Sequence, residues 1–407
     1  MFKNQLRLLF IAFLFLANGA LAQTLHHEKT KLSTERLERY DSYLQNEVDQ
    51  GRIAGAVSLI FSNGEKAHEK TIGYSNIESK SAMKLDQIFY IQSMTKPIIT
   101  TAFMMLYEEG YFLLNDPLSK YIPEFKDAMV AKDAKLGTAG GLEPVASPIR
   151  IHQLMSHTAG LSHGLGQSEV DKEVIKGIYY TAHADIESRV KTYAGLPLYA
   201  QPGERWYYSA APDILARLIE VFSGMTVEEF LQKRLLDPLG MPDTRYNLNE
   251  EQASRMATLH SYDETGKLIV APRQTPTTGN KIFAGANGLF STAQDYARFA
   301  LMMSNGGELD GKRYLSPKTV EIMTINQIGD IKREAGHGFG FGFGVMTDLA
   351  DAKSLGSEGT YYWSGAYCTY FFIDPKENLI SILMTQTAPF SGFYEQKMRQ
   401  LVYQAIE

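Results

Sequence analysis

The sequence predicts an α+β protein of the α/β-sandwich type, in which one antiparallel sheet is assembled from both chain ends and flanked by helices. Apolar runs typical of strands occur early, at residues 55–61, and late, at residues 366–373 and 379–385. Between them, residues 149–240 are dominated by helical periodicity. Strands followed by helices and then by strands indicate a sheet with an inserted, mostly helical lobe.

Local signals justify these elements in chain order. Apolar residues from Leu37 to Val48 recur at helical spacing, which predicts an amphipathic helix before the first strand. Ser-Asn-Gly at residues 62–64 is a turn signal, so residues 65–74 are expected to return as the hairpin partner. The Asp-Pro-containing segment 374–378 separates the two late strands in the same way.

We expect a single two-lobed domain over residues 23–407. The sheet lobe is predicted to comprise about residues 33–90 and 286–407, and the helical lobe about residues 91–285. A chain of 407 residues can bury a large core, so stability requires neither disulfides nor a metal. A cleft between the lobes is the expected place for a site.

The N-terminus has the pattern of a signal peptide. Lys3 and Arg7 precede a short apolar run at residues 8–17, and Ala20 and Ala22 supply the small residues that precede a cleavage site. We predict cleavage after the second of these alanines and a periplasmic or secreted protein. An uncleaved membrane anchor is disfavoured, because the run is about half of the ~20 residues that a spanning helix needs.

The overall charge narrows the choice of partners. The net charge is −6 and no basic stripe is present, which argues against nucleic acid or an anionic membrane surface as a partner.

Cys368 is the sole cysteine, so no internal disulfide forms. His152, His157 and His163 lack partners at metal-ligand spacing and are more typical of turns or packing. We expect a small-molecule substrate and neither metal nor cofactor; the oligomeric state stays open.

Ser93 and Lys96 form a Ser-x-x-Lys pair between an apolar approach and an apolar helix. At a helix start, this spacing places both side chains on one face. A seryl hydroxyl needs an adjacent base to become a nucleophile. A lysine can be that base if burial and the positive end of the helix dipole lower its pKa. From pattern and context, nucleophile and helix-capping serine remain equal alternatives.

Three other serines match short motifs. Ser81 lies three residues before a lysine in a polar, turn-like stretch, and Ser188 does so in a charged helix. Ser162 lies in a Gly-x-Ser-x-Gly pattern, which marks a nucleophile only where a strand precedes it and a helix follows. A helical pattern precedes Ser162, so this alternative is disfavoured.

Four segments resemble those of one known family. They are Ser93–Lys96, Leu114–Leu118, Tyr121–Phe125 and Leu154–Leu161. The family is the class C β-lactamase-like serine hydrolases, which include penicillin-recognising enzymes and related family VIII-type esterases. The resemblance runs from about residue 33 to the C-terminus. It implies a β-lactamase/transpeptidase-like fold and acyl-enzyme chemistry.

The resemblance also implies a catalytic tyrosine. Aligning the chain on Pro-Gly at residues 202–203 places that tyrosine at Tyr208 rather than Tyr207. A phenol beside the serine can move protons to and from it. The asparagine usual in the lactamases is replaced by Ala210, which puts β-lactam hydrolysis in doubt.

Trp363-Ser364-Gly365 stands where lactamases and peptidases of this family carry Lys-Thr-Gly, and related esterases often carry Trp-x-Gly. The resemblance implies that these three residues bind substrate and that the Ala366 N–H pairs with the Ser93 N–H as an oxyanion hole.

The only two tryptophans, Trp206 and Trp363, both flank predicted site motifs. We therefore assign Trp206 a substrate contact as well; chance placement as core residues remains the alternative.

The resulting hypothesis is a secreted carboxylesterase on small or medium esters, with Ser93 as nucleophile and Lys96 and Tyr208 as proton carriers. A β-lactamase or D-amino peptidase (D,D-carboxypeptidase-like) is the first alternative. An acyltransferase with the same nucleophile is the second. A non-catalytic envelope receptor that keeps the fold is the third.

Overall fold

The computed structural model describes residues 30–407, and the predicted signal peptide lies outside them. The strands are β1 (Gly55–Ser62), β2 (Glu65–Asn76), β3 (Ser81–Ala82), β4 (Phe89–Tyr90), β5 (Met129–Ala131), β6 (Leu142–Pro144), β7 (His260–Tyr262), β8 (Leu268–Val270), β9 (Phe290–Ser291), β10 (Glu308–Leu309), β11 (Lys312–Arg313), β12 (His337–Phe339), β13 (Gly344–Met346), β14 (Tyr361–Gly365), β15 (Thr369–Asp374) and β16 (Leu379–Met384). The α-helices are α1 (Thr34–Asp49), α2 (Thr95–Glu108), α3 (Ile151–Met155), α4 (Glu169–Ile175), α5 (Ile186–Ala194), α6 (Ala211–Ser223), α7 (Val227–Leu231), α8 (Asp237–Leu239), α9 (Glu250–Ser254), α10 (Ala293–Ser304), α11 (Pro317–Thr324), α12 (Leu349–Ala352) and α13 (Gly392–Tyr403).

The main sheet has eight strands in the order β12-β13-β14-β15-β16-β1-β2-β3. Its centre joins the two chain ends, because β1 pairs antiparallel with β16 and Val57 stands opposite Met384. The inner strands β15 and β16 are buried at every position, as expected for a sheet covered on both faces. The predicted α+β class and the antiparallel sheet built from both ends are therefore confirmed.

Helices cover both faces of the sheet. On one face, α1 and α13 bury Leu37, Tyr40 and Met398 against the strands in one apolar cluster. On the other face, α10 packs against β1, β15 and β16. Helix α2 is buried at every position from Thr95 to Leu106, which makes it the central helix of the larger apolar cluster. The first turn of α2 is therefore packed within the apolar core.

The late strands differ in detail from the prediction. The strand expected at residues 366–373 begins only at Thr369, because a tight turn occupies residues 366–368 and Cys368 adopts a left-handed φ of +62°. The residues before this turn form a separate strand, β14, that the sequence did not predict. The expected motif Trp-Ser-Gly thus lies at the end of a strand that terminates in a turn.

The middle of the chain contains two small hairpins besides its helices, β5–β6 and β7–β8. The lobe boundaries near residues 90 and 286 stay a prediction. Within residues 30–407, no helix has both the length and the apolar character that crossing a bilayer requires.

Candidate active site

Ser93 lies in a 3₁₀ turn, Gln92–Met94, that leads directly into α2. The sequence predicted a helix start here, and the turn is the form that this start takes. Gln92 has a left-handed φ of +48°, which is unfavourable for a residue with a side chain. Strained conformations of this kind persist where the surroundings enforce them, and they cluster at functional sites.

Lys96 follows in the first turn of α2, and its side chain is 1% exposed. Its Nζ lies 3.3 Å from Ser93 Oγ and donates to the Ala286 carbonyl oxygen at 2.7 Å. Burial lowers the pKa of the Lys96 ammonium from its usual value to about 7, because charge is poorly solvated in the interior. A substantial fraction of this amine is therefore neutral near pH 7.

Tyr208 completes the group around the serine oxygen. Its hydroxyl donates to Ser93 Oγ at 2.8 Å, and Lys96 Nζ lies 4.6 Å from the centre of its ring. Burial raises the pKa of the Tyr208 phenol above its usual range, and the Ser93 hydroxyl and the Trp363 N–H oppose that rise. The indole N–H does not reach hydrogen-bonding geometry, so its opposition is weak. Tyr208 is consequently a neutral hydrogen-bond donor at neutral pH.

Two buried histidines hold the Tyr208 ring. The His163 ring stacks on it at 5.1 Å and 12°, and the His157 ring meets it edge-on at 5.1 Å. His157 Nδ1 is 2.8 Å from Ser209 Oγ, which fixes that ring in turn. Burial lowers the pKa of both imidazoles well below the usual value, so both are neutral. Among residues 30–407, no group of three metal-ligating side chains is found.

Asp213 is a positioning residue that the sequence analysis missed. It is fully buried at the start of α6, and its Oδ1 accepts the Ala286 N–H at 2.8 Å. The carbonyl of the same residue accepts from Lys96, so the carboxylate anchors the backbone segment that holds the amine. Arg189 donates to Asp213 Oδ2 at 3.2 Å. The charge of Asp213 raises the pKa of Lys96 and opposes the effect of burial.

The residue before Ala286 must be small. A Cβ on Gly285 would lie 1.9 Å from the Pro212 carbonyl oxygen, which no side chain can tolerate. The glycine therefore lets this backbone touch the beginning of α6, where Asp213 accepts the next N–H. Asp213 lies in the first turn of a helix, where an acidic residue is ordinarily explained by its favourable interaction with the helix dipole. Ala286 acts only through its backbone. Neither residue has a side-chain motif that would predict its role.

The turn after β14 lies against the nucleophile turn. A Cβ on Gly365 would be 2.3 Å from the Ile91 carbonyl oxygen, so only glycine allows this approach. Ala366 follows at the exposed start of the turn, and Ser364 is half-buried beside it. Trp363 faces the site, with its ring centre 5.6 Å from that of Tyr208.

The ring centre of Trp206 is 6.3 Å from that of Tyr208. The two tryptophans thus border the same phenol from different parts of the chain. The structure brings Ser93, Lys96, Tyr208 and both tryptophans together, and it places Gly365, which lies between Ser364 and Ala366, against the residue before the Ser93 turn.

The alternative serines stand in different surroundings. Ser162 is buried and donates to Asp171 Oδ1 at 2.5 Å, while the Gly164 N–H donates to Ser162 Oγ at 2.8 Å. These bonds tie a loop together. The group that receives the Ser162 hydrogen bond is the Asp171 carboxylate, and although burial raises the pKa of this carboxylate, hydrogen bonds hold it below its usual value, so Asp171 is a weak base. Ser81 is exposed on β3, and Ser188 caps α5.

A serine hydroxyl, a buried lysine and a tyrosine therefore meet at this site. Comparisons with known proteins show the family to which the chain belongs. The family model described as Beta-lactamase matches residues 40–404. Protein Rv1367c of Mycobacterium tuberculosis is 33% identical over 84% of this chain and 88% of its own length. Esterase EstB of Burkholderia gladioli is 26% identical over 90% of this chain and 94% of its own.

Among solved structures, EstCE1, a hydrolase with promiscuous acyltransferase activity, superimposes with a TM-score of 0.76 and 26% identity, over 91% of this chain and 99% of its own. The chain belongs to the Beta-lactamase family. It is a serine hydrolase related to the β-lactamases.

Asp213→Asn is expected to move the pH dependence of kcat/KM. The wild-type value should rise with pH through the Lys96 pKa of about 7, as the amine loses its proton. Removing the Asp213 charge lowers that pKa, so the rising limb shifts to lower pH by roughly one unit. Arg189→Gln leaves the carboxylate without its counter-charge and shifts the limb upward. Equal profiles for all three proteins would exclude this coupling.

Proposed function

We propose that this protein is a carboxylesterase for small or medium esters that works through a covalent acyl-enzyme on Ser93. The observation that supports it most strongly is the placement of Ser93 Oγ between Lys96 Nζ, at 3.3 Å, and the Tyr208 hydroxyl, at 2.8 Å. A nucleophile, a base with a lowered pKa and a proton donor meet at one atom, which is the arrangement that acyl transfer needs.

Lys96 is the better base of the two. Its pKa is lowered to about 7, so its neutral amine can take the Ser93 proton near physiological pH. The Ala286 carbonyl accepts one of its N–H groups and orients the amine. Tyr208 has a raised pKa and already donates to Ser93 Oγ, so it acts as a neutral donor instead of a phenolate base.

In the acylation step, Ser93 Oγ attacks the ester carbonyl carbon while its proton passes to Lys96. The negative charge that develops on the carbonyl oxygen rests on the N–H groups of Ser93 and Ala366. The close contact of Gly365 with Ile91 supports this assignment, because it holds the β14 turn against the serine turn. Each such donor contributes roughly 3 kcal/mol to stabilising the transition state.

Collapse of this intermediate breaks the bond to the alcohol oxygen. The leaving alkoxide takes a proton from Tyr208, and the protonated Lys96 restores it. Water then attacks the acyl-enzyme and gives its proton to the neutral amine. The carboxylic acid departs, and Ser93 recovers its proton. The cycle consumes one water and requires neither metal nor cofactor.

Two residues favour esters over β-lactams. Ala210 is buried and has no amide to hold a lactam side chain. Trp363 gives the wall of the site a flat apolar ring, which suits the acyl or alcohol part of an ester. The similarity to esterase EstB of Burkholderia gladioli points the same way.

An acyltransferase is the second candidate. The similarity to EstCE1, a hydrolase with promiscuous acyltransferase activity, favours it. Only the last step differs, because an alcohol replaces water as the acceptor. Formation of a new ester when a primary alcohol is added would demonstrate this activity.

The decisive experiment compares p-nitrophenyl acetate and butyrate with a chromogenic cephalosporin. We expect ester turnover by the wild type, little cephalosporin turnover, and a loss of at least about 1000-fold in kcat for Ser93→Ala. Ser81→Ala is the matched control, because this exposed serine also precedes a lysine by three residues, and it should keep full activity. Ester turnover that survives in Ser93→Ala would reject the nucleophile, and fast cephalosporin turnover would reject the preference for esters.

Adjacent tyrosines offer a matched pair for the proton donor. Tyr208→Phe removes the hydroxyl that donates to Ser93, and kcat should fall by roughly 100-fold or more. Tyr207→Phe removes a hydroxyl that donates to Asp171 instead, so kcat should stay within about threefold of the wild type. Steady-state kinetics on p-nitrophenyl butyrate decide between them. A larger loss in Tyr207→Phe would show that the alignment is off by one residue.

We also propose that the protein is exported and that its mature form begins at Gln23. The charged, apolar and small-residue segments of the N-terminus support this. Mass spectrometry of the periplasmic or secreted fraction should find the chain without its first 22 residues. Ala20→Glu should block this processing, and a full-length chain in the exported wild-type fraction would contradict it.

A further inference from the structure

A large cavity adjoins the proposed active site beside Trp363. Its volume is about 1100 Å³, and it lies between β14, the start of α13 and the segment around α12. Trp363 and Ser364 form one wall, so this cavity begins where the predicted substrate-binding motif ends. Its size is sufficient for a ligand larger than a short acyl chain.

The lining has an excess of positive charge. Arg333, Lys353 and Arg399 contribute three cations, whereas Glu334 and Glu395 contribute two carboxylates. Each acid pairs with one arginine, and one cation remains in excess. Glu334 is 3.5 Å from Arg333 with a side chain 69% exposed, and Glu395 Oε1 accepts from Arg399 Nη2 at 3.3 Å.

The two guanidinium groups are buried and incompletely paired. Arg333 and Arg399 have side chains that are 8% and 4% exposed. Arg333 Nε and Arg399 Nη1 find no hydrogen-bond acceptor within the described part of the chain. Buried N–H groups without acceptors are costly. Both atoms are closed to solvent, so an anion in the cavity would accept instead from Arg333 Nη2, whose ion-pair partner is the exposed Glu334 at 3.5 Å. His337 reports the same positive field, because burial and then these two arginines lower its pKa to about 4.

Arg333 also connects the cavity to the site. Its guanidinium carbon lies 5.2 Å from the ring centre of Trp206 and 5.6 Å from that of Trp363. Its Nη1 donates to the Tyr362 hydroxyl at 2.9 Å, which fixes its position. A group bound by Arg333 would therefore rest beside the two tryptophans that border Tyr208.

Apolar side chains stand among these charges. Leu355 and Phe390 line the cavity and are about half exposed, at 50% and 47%. A ligand with an apolar body and one anionic group would satisfy both parts of the lining.

We infer that this cavity binds a carboxylate on an apolar extension of the ester substrate, either on its acyl chain or on its alcohol. The inference rests on the proposed esterase function and specifies its substrate class. The carboxylate accepts hydrogen bonds from Arg333, and the apolar extension lies along Trp363. Neutral short esters then bind without using the cavity.

Matched pairs of esters test the inference. Mono-p-nitrophenyl suberate and its neutral methyl ester differ only in a carboxylate at the end of the acyl chain. 4-Acetoxyphenylacetate and its methyl ester provide the same comparison on the alcohol side. We expect the wild type to prefer the anionic member of at least one pair by about tenfold or more in kcat/KM, mainly through KM.

Arg333→Gln should abolish this preference, so that kcat/KM becomes equal within each pair of esters. Lys332→Gln is the control, since it removes the same charge from the exposed neighbour outside the cavity. Lys353→Gln is a second cavity variant on the exposed rim, in case Arg333→Gln does not fold, and it should reduce the preference. Equal kcat/KM within both pairs for the wild type, or a preference unchanged in the cavity variants, would overturn the inference.

A binding measurement separates this inference from the proposed function. Octanoate has an apolar chain and one carboxylate, and calorimetry can follow its binding to the Ser93→Ala protein. Binding that is lost when Arg333→Gln is added supports the carboxylate site even if no ester is hydrolysed. Ester hydrolysis without any octanoate binding and without an anionic preference rejects the site and leaves the esterase function intact.

Discussion

The burial of the Lys96 amine is the constraint on which the rest of the candidate site depends. Lys96 lies on the central helix, 1% exposed, where a permanent charge would be costly and a neutral amine is useful. The Ala286 carbonyl accepts a hydrogen bond from this amine, and the buried carboxylate of Asp213 binds the N–H of the same residue. The charge of Asp213 also raises the pKa of Lys96. Arg189 then balances that carboxylate. The pKa of Lys96 near neutrality results from burial, which lowers it, and from the charge of Asp213, which raises it.

Backbone contacts assemble these parts. Gly285 allows one loop to touch the start of α6, and Gly365 allows the end of β14 to touch the turn that carries Ser93. In both places a side chain would collide with a carbonyl oxygen. The residues that follow are Ala286, which holds Lys96 through its carbonyl, and Ala366, whose N–H we assign to the proposed oxyanion hole. The positions of the Ser93, Lys96 and Tyr208 side chains therefore depend on close contacts between backbone segments.

The sequence predicted the elements with strong periodicity and the residues within recognisable motifs. The hairpin β1–β2 follows from an apolar run and a turn signal, and the amphipathic α1 follows from helical spacing. Ser93, Lys96 and Tyr208 come from motif positions. Asp213, Ala286 and Arg333 could not be found in this way. Asp213 resembles an ordinary acidic residue at a helix start, Ala286 acts through its peptide, and Arg333 belongs to a segment without periodicity. Their roles arise only when distant segments meet, which local pattern does not record.

The pairing of β1 with β16 has a consequence for the order of folding. These strands are neighbours in the centre of the sheet but come from opposite ends of the chain. During synthesis, the early strand stays without this partner until almost the whole polypeptide exists, and contacts of such long sequence separation form slowly. The β14 turn that abuts the serine is also made late. A chain that ends before β14 therefore lacks both the pairing at the centre of the sheet and the strand end that lies against the Ser93 turn.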